Sequence, residues 1–318
     1  MPDTFSRISI VTPTLRRPAE VRELLANLSQ QVSLPYELIL VDGAPHGEDE
    51  TQQIVAQAAR LPFEVRYIRH GGGTAIQRNV GVDAAKGDFI AFIDDDIRLE
   101  PDFFKVILEA FASDTEKRIG GITGYITNQR LDASTSRRWK WYRRLQLFTT
   151  YEPGRFDYQT GYPINRYLQP PHEGVREVDF LSSNSAVWRR KLFDDGLRFD
   201  EFFVGFGVME DAQMSLRARK NWNLLEHGRA HCQHLHAGGG REDSRSVARK
   251  TAVNHRYLFI TIVPKRTWKQ ELRFWRVQVV HLIIFLAAAF RSSNRQNWLA
   301  ALGMFEGILA GARLRIPS

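Results

Sequence analysis

Alternating strand-like and helix-like segments fill the first third of the chain. Short apolar runs of strand length alternate with segments whose apolar residues recur every three or four positions, the spacing of a helix that buries one face. The predicted strands are 8–11, 37–41, 63–68 and 88–93, and the predicted helices are 19–30, 51–60 and 74–85. Strands that alternate with helices of this length indicate βαβ units and a largely parallel α/β sheet.

Polar residues follow three of these strands. Thr12 and Thr14 come after the first strand, Asp42 after the second, and an Asp triplet (94–96) after the fourth. In open α/β sheets, ligands bind beyond the carboxyl ends of the strands. We therefore expect one site at this edge, although strands that end in polar turns would give part of the same pattern.

The Asp triplet is the most informative stretch. The apolar run 89–93 leads directly into three adjacent carboxylates, which repel one another and resist desolvation. A bound divalent cation removes that cost, because hard cations take oxygen ligands. The alternative is a solvated acidic turn. The following residues, 97–101, look like the entry into a helix, and this context favours a metal and phosphate site.

Charge is concentrated at the C-terminal end. The net charge is +8, and residues 241–318 hold 14 Lys and Arg against 4 Asp and Glu. The remaining chain is nearly neutral, which argues against nucleic acid as a partner and favours an anionic surface that meets the C-terminal region.

The single cysteine, Cys232, excludes an internal disulfide, fits a reducing compartment and is predicted to be a small buried residue. Residues 1–7 show no secretory pattern.

Residues 137–144 interleave cations with aromatic side chains. Proteins that bind single-stranded nucleic acid stack bases on aromatic side chains that lie among cations, so this pattern could serve nucleic-acid binding. A partly ordered loop that covers an active site, or that touches a sugar acceptor or a membrane, is the interpretation we favour.

The segments 277–290 and 298–312 are apolar. The uninterrupted apolar core of the first, 282–290, is shorter than the roughly twenty residues of a spanning helix. With their basic flanks, the two segments predict a helical pair that lies on an anionic membrane face. A docked helical hairpin or a dimer interface is the open alternative.

The motifs together resemble the large inverting glycosyltransferase family 2. The matching segments are 9–14, 40–43, 77–81, 87–96, 209–211 and 231–241. The resemblance implies a GT-A fold, a Rossmann-like mixed sheet flanked by helices, here with a C-terminal helical extension. It also implies a nucleotide-diphosphate sugar donor, with UDP or dTDP favoured, a carbohydrate or lipid-linked acceptor, and Mn²⁺ or Mg²⁺. We expect a nucleotide-sugar half (1–120), an acceptor-binding and catalytic half (121–245) and a helical extension (246–318), in a cytoplasmic protein peripheral to the inner face of the membrane.

The resemblance implies roles on the donor side of the site. Thr12 and Thr14 would line the nucleotide pocket, and Asp42 would accept a hydrogen bond from uracil or thymine, unless it only starts the turn before Gly43. Asp94 and Asp95 would face the ribose or the water shell of the metal. Two arginines are candidates for the diphosphate, Arg78 and Arg241, although Arg78 could equally be an exposed surface residue.

It also implies the metal ligands and the base. Asp96 would ligate the metal, and a histidine would complete its coordination. His234 is our choice, but alternation along a strand places His236 on the same face. Asp211 would be the general base with Glu210 as its neighbour, whereas acids in a first helical turn also simply complement the helix dipole.

Two other functions stay open. A sugar-phosphate nucleotidyltransferase would share the fold, but it needs a glycine-rich basic signature after the first strand, and residues 12–17 lack the glycines. A non-catalytic peripheral membrane scaffold is uncommon in a chain that holds Asp42, Asp96 and Asp211 together. The glycines at 71–73 match no dinucleotide or P-loop pattern and predict a flexible turn near the nucleotide.

Overall fold

The chain folds into two compact units. The computed structural model describes residues 6–58, 60–129, 137–205, 207–238, 243–292 and 294–315. One unit comprises 1–130 and 170–240, and the other comprises 131–169 and 241–318. The division predicted from the sequence, at residues 120 and 245, stays a prediction.

Eleven strands and ten helices occupy the described residues. The strands are β1 Ile8–Thr14, β2 Glu37–Asp42, β3 Glu64–Arg69, β4 Phe89–Ile93, β5 Ile97–Leu99, β6 Ile119–Ile126, β7 Phe156–Asp157, β8 Tyr162–Pro163, β9 Val175–Val178, β10 Ser185–Arg189 and β11 Asn223–His234. The helices are α1 Pro18–Leu28, α2 Glu50–Gln57, α3 Thr74–Ala84, α4 Phe103–Ser113, α5 Arg137–Arg144, α6 Lys191–Asp194, α7 Glu210–Ala218, α8 Ser244–Ile262, α9 Trp268–Arg291 and α10 Arg295–Arg313, with a short 3₁₀ turn at Arg166–Leu168.

The first unit is built on a nine-stranded mixed sheet. Its order is β3-β2-β1-β4-β10-β6-β11-β5, with β9 paired to β11. The pairs β3–β2, β2–β1 and β1–β4 are parallel, whereas β10 runs antiparallel to both of its neighbours. Every residue of β1, β2 and β4 is buried, as expected for parallel strands covered on both faces, and their apolar runs are accordingly continuous. The predicted α/β class with a mixed sheet is confirmed, and Cys232 is buried as predicted.

Two local predictions differ from the structure. Residues 97–99 form β5, not the entry to a helix, and α4 begins only at Phe103. β5 pairs antiparallel with the end of β11, so that His234 lies opposite Ile97. Residues 137–144 form helix α5, not a loop, and the Trp139 and Tyr142 side chains lie in the aromatic core of the second unit. These two rings are therefore not available to stack on bases or sugars.

The glycine turn at 71–73 is fixed by a close backbone contact. Gly73 has a φ of +103°, and a Cβ there would lie 2.3 Å from the backbone nitrogen of Gly205. The Thr74 backbone N–H donates to the Gly205 carbonyl at 3.1 Å. Only glycine allows this approach. The contact holds the start of α3 against the loop that leads into α7.

The second unit contains three long helices. On α10, Gly303 and Gly307 face α8 so closely that a Cβ would lie 2.1 Å from the Arg245 carbonyl oxygen and 2.5 Å from that of Arg249. In the part of the chain that the structure describes, α9 alone is long and apolar enough to cross a membrane, by length and composition only. The prediction that this segment is short for a membrane span rests on the apolar core 282–290, whereas the helix is continuous over 24 residues.

Acid is expected to destabilise the second unit through His255. The His255 Nε2–H donates to the Gly161 carbonyl at 2.8 Å, and Nδ1 accepts from Gln278 at 2.6 Å. Burial, reinforced by His281, lowers the pKa of His255 to about 3. The unfolded chain therefore takes up the proton first as the pH falls below 6.5, and stability is lost between pH 6.5 and 3.

His255→Gln should reduce the loss of unfolding free energy between pH 7 and 5 by about 2 kcal/mol, measured by urea denaturation. An unchanged pH dependence would contradict this.

Candidate active site

The ends of β1 and β4 carry the first part of the site. The Thr12 hydroxyl donates to the Ile93 carbonyl at 2.7 Å, and the Thr14 hydroxyl donates to Asp95 Oδ2 at 2.7 Å. Both threonines and Asp95 are buried. Burial raises the pKa of Asp95 to about 6, against the opposing charge of Arg17. Asp95 therefore points into protein and fixes the turn after β4.

Arg17 is a site residue that the sequence analysis missed. Its Nη1 lies 2.9 Å from Asp95 Oδ1 and 3.5 Å from Asp96 Oδ2, and its Nη2 donates to the Ala237 carbonyl at 3.1 Å. The guanidinium thus ties the start of α1 to the Asp triplet and to the segment after β11. Its position just beyond the carboxyl end of β1 is the signal that could have identified it.

Asp96 and His234 lie side by side. The pairing of β5 with β11 brings His234 Nε2 to 3.2 Å from Asp96 Oδ1, and the Ala237 N–H donates to Asp96 Oδ2 at 3.1 Å. Burial alone would raise the pKa of Asp96, but His234, Arg17 and the Ala237 amide hold it below its ordinary value. An ionised carboxylate beside an imidazole nitrogen supplies one oxygen and one nitrogen donor, a set that suits Mn²⁺. No group of three or more acidic, His or Cys ligands occurs among the residues that the structure describes.

The expectation that His234 and His236 share one strand face is wrong. β11 ends at His234, and His236 has a φ of +52°, which takes it out of the strand. The two rings nevertheless lie 4.0 Å apart, centroid to centroid, and both contact the Gln129 amide. His234 is the ring that meets Asp96, and its assignment as the ligand stays a prediction.

Arg78 joins the two acidic motifs. Its Nη2 lies 2.9 Å from Asp94 Oδ1, and its Nη1 lies 2.9 Å from Glu210 Oε1. The residue is only 4% exposed, so the alternative of an exposed surface arginine is wrong. Burial works to lower the pKa of Arg78, but Asp94 and Glu210 raise it above its ordinary value. The guanidinium is therefore a fixed charge between β4 and α7.

The backbone before α7 directs the Glu210 side chain towards Arg78. Met209, which precedes the helix, has a left-handed φ of 73°. A Cβ on Gly207 would lie 2.3 Å from the Glu210 carboxylate, so that only glycine leaves room for this side chain. A non-glycine residue in this region of φ is strained, and such strain is concentrated at functional sites.

The two acids at the start of α7 have different surroundings. Glu210 is buried, and burial together with Asp211 raises its pKa above the ordinary value. Asp211 is half-buried, and its Oδ1 accepts from the Ala212 N–H at 2.7 Å. Of the two, Asp211 is the carboxylate that a substrate can reach.

Asp42 is buried and held on both oxygens. Oδ1 accepts from the Ala44 N–H at 2.9 Å, and Oδ2 accepts from the Tyr67 hydroxyl at 2.9 Å. Arg69 in turn donates to the same hydroxyl at 3.2 Å. Tyr67 was missed from the sequence. The first bond is the turn contact expected of an Asp before Gly43, and the role in reading a base stays a prediction.

The structure thus brings most of the predicted residues to one end of the sheet in the first unit. Within this group, direct contacts link Thr14 to Asp95, Arg78 to both Asp94 and Glu210, and Asp96 to His234. Arg241, predicted to approach the diphosphate, lies outside the described residues. Asn79 exchanges two hydrogen bonds of 2.9 Å with the Phe199 backbone and so fixes α3.

Comparison with known proteins identifies relatives of this chain. The family model described as Glycosyl transferase family 2 matches residues 9–169, about half of the chain. An uncharacterized glycosyltransferase of Haemophilus influenzae is 35% identical over 102 residues, which cover 32% of this chain and 33% of the relative. The uncharacterized glycosyltransferase YwdF of Bacillus subtilis is 32% identical over 193 residues, 57% of this chain and 65% of the relative. The matches thus span about one third to two thirds of these relatives.

A solved structure shares the fold. The mannosyltransferase PcManGT from Pyrobaculum calidifontis, in complex with GDP-Man and Mn²⁺, superposes with a TM-score of 0.56. The match covers 96% of this chain and 87% of that chain at 13% identity. At this identity the likeness speaks for the fold alone, and it confirms the predicted GT-A architecture.

Proposed function

The chain belongs to glycosyl transferase family 2, and on that premise we propose that it moves a sugar from a nucleotide-diphosphate donor to a carbohydrate or lipid-linked acceptor. The reaction inverts the anomeric carbon and serves polysaccharide or glycoconjugate synthesis. The family membership and the site geometry support this proposal together.

The bridge made by Arg78 is the observation that carries the proposal. Its buried guanidinium pairs through Nη2 with Asp94 of the Asp triplet, on the proposed donor side, and through Nη1 with Glu210, next to the proposed base, each at 2.9 Å. Inversion requires a carboxylate that approaches the sugar from the side opposite the leaving group. A rigid connection between the two acidic motifs keeps them at a constant separation, as positional catalysis requires.

Asp96 and His234 would hold a divalent cation, Mn²⁺ or Mg²⁺, which when bound supplies positive charge against the departing nucleoside diphosphate. Their adjacent oxygen and nitrogen donors, 3.2 Å apart, fit such an ion. Asp94 and Asp95 orient this edge of the site through Arg78 and Arg17. The relative with the same fold was solved with Mn²⁺.

Asp211 takes the proton from the attacking acceptor hydroxyl. The Ala212 N–H and the start of the helix stabilise its ionised form, and its partial exposure leaves it accessible. Glu210 is buried and paired with Arg78, so it positions this turn of backbone and is less accessible to the acceptor than Asp211.

The donor nucleotide is recognised at the ends of β1 and β2. Thr12, Thr14 and Asp42 surround this edge, and Tyr67 fixes the Asp42 carboxylate. A carboxylate acceptor suits the ring N–H of uracil or thymine, so we favour UDP or dTDP sugars. A guanine donor, as in the GDP-Man complex of the relative, is the competing choice.

The protein is proposed to act in the cytoplasm on the inner face of the membrane. α9 exposes Trp268, Leu272, Val279, Ile283 and Phe290 along its length. Cations flank this helix at both ends. An apolar face with basic ends is typical of helices that lie in the interface of an anionic membrane.

A thermal-shift panel tests the donor and the metal together. UDP, dTDP, GDP and CMP are each added with and without Mn²⁺, because a ligand that binds only the native state raises its stability with occupancy. We expect an upward shift in melting temperature that requires both Mn²⁺ and one uridine or thymidine diphosphate. A shift with GDP, and with none of the other nucleotides, would instead assign the donor to the guanosine diphosphate sugars. The absence of a shift with every pair would contradict the proposed site.

A further inference from the structure

A charged groove lies between α8 and α10 in the second unit. Its volume is about 820 Å³, and Arg245, Arg249 and Lys250 of α8 and Arg313 of α10 contribute to its lining. The close approach of Gly303 and Gly307 to the α8 backbone brings the two helices together along this groove. It belongs to neither the Asp triplet nor the start of α7.

The acidic side chains of the groove are engaged within the protein. Asp243 caps α8 by accepting from the backbone N–H groups of Arg245 and Ser246 at 2.9 and 3.1 Å. Glu306 accepts from Arg245 Nε at 3.0 Å. In the described part of the chain, the exposed guanidinium groups of Arg249 and Arg313 have no hydrogen bond or salt bridge. The groove therefore presents cationic donors to an incoming ligand.

An exposed apolar stripe runs along α10, the helix that carries Arg313. Trp298, Leu302, Phe305 and Leu309 recur at helical spacing and are 44%, 43%, 48% and 44% exposed. Leu309 also lines the groove, so the stripe and the cationic lining share an edge. A single ligand that carries both an anion and apolar chains would satisfy both surfaces.

We propose that this groove binds the phosphate headgroup of an anionic lipid, while the stripe enters the acyl region of the bilayer. Guanidinium groups match phosphate oxygens with paired hydrogen bonds. A contiguous exposed apolar stripe indicates a surface that a membrane or another protein covers. The site rests on the proposed membrane contact and is independent of the sugar-transfer chemistry.

Vesicle binding by the full chain tests the site. Binding to phosphatidylcholine vesicles with and without phosphatidylglycerol is measured for the wild type and for the double variant Arg249→Gln with Arg313→Gln. The matched control is Lys105→Gln with Arg118→Gln, which removes the same charge from exposed positions of the first unit. We expect the groove variant to lose about tenfold or more in affinity for anionic vesicles, and the control less than about twofold.

Three results would overturn the proposal. Equal losses in the groove variant and the control would mean that overall charge alone drives binding. Inorganic phosphate that stabilises the wild type but not the groove variant, with vesicle binding unchanged, would assign the groove to free phosphate. Self-association that is lost in Trp298→Ser with Phe305→Ser, while vesicle binding persists, would assign the stripe to a second copy. Nucleotide binding with Mn²⁺ is measured on each variant, so that a failure of this site is distinguishable from a failure of the transferase proposal.

Discussion

Asp211→Asn lowers the rate of sugar transfer by about 10³-fold, whereas the variant binds the donor nucleotide as the wild type does. General-base catalysis contributes roughly 10²- to 10⁴-fold, and an amide cannot take the proton of the acceptor hydroxyl. The amide can still accept from the Ala212 N–H, which keeps the start of α7 in place. Release of nucleoside diphosphate is measured with the donor found by the nucleotide panel and a set of glycan acceptors.

Asp195→Asn is the matched control for this substitution. Asp195 is exposed and pairs with Lys191 four residues earlier, a kind of surface pair that contributes little to stability. Its transfer rate should equal that of the wild type. A full rate in Asp211→Asn, with a loss in Glu210→Gln, would move the base to Glu210.

Arg78→Met destabilises the first unit by about 3–5 kcal/mol, the range expected when one partner of a buried ion pair is removed. Methionine fills most of the volume but leaves Asp94 and Glu210 without their shared cation. Urea unfolding of the isolated variants measures the loss. Arg78→Lys keeps the charge but makes fewer directed hydrogen bonds, so it should lie between the wild type and Arg78→Met.

The reason for the loss can be tested in the same background. If unpaired carboxylates cause it, adding Glu210→Gln to Arg78→Met should restore part of the stability. A double variant that is less stable than Arg78→Met, by the full effect of Glu210→Gln alone, would show that Arg78 and Glu210 do not interact.

The sheet and its edge were predictable because their signal is local. β1, β2 and β4 are buried on both faces, so their sequences are continuous apolar runs. The polar residues at the ends of these strands lie at the edge of the sheet where the carboxyl ends of the strands meet. The alternation of strands and helices predicts β1 to β4 and a largely parallel sheet, but it does not predict their order β3-β2-β1-β4 within the sheet. The family resemblance added the roles of the residues at that edge.

The remaining site residues depend on contacts between distant segments. Arg17 meets Asp95 across 78 positions, and its place just beyond the carboxyl end of β1 is the only local signal that we identify for it. β5 is only three residues long and exists because it pairs with β11, so the local pattern after the Asp triplet suggested a helix. His236 leaves its strand through a positive φ, which alternation does not reveal.

Donor binding by Asp96→Asn and Asp211→Asn tests the separation of roles most directly. The nucleotide identified by the panel is titrated calorimetrically into the wild type and both variants in the presence of Mn²⁺. Asp96→Asn should weaken binding by at least about tenfold and remove its dependence on Mn²⁺, because it loses a proposed metal ligand. Asp211→Asn should bind within about twofold of the wild type. Equal weakening of donor binding in both variants would contradict a site in which Asp96 serves the donor and Asp211 serves the acceptor.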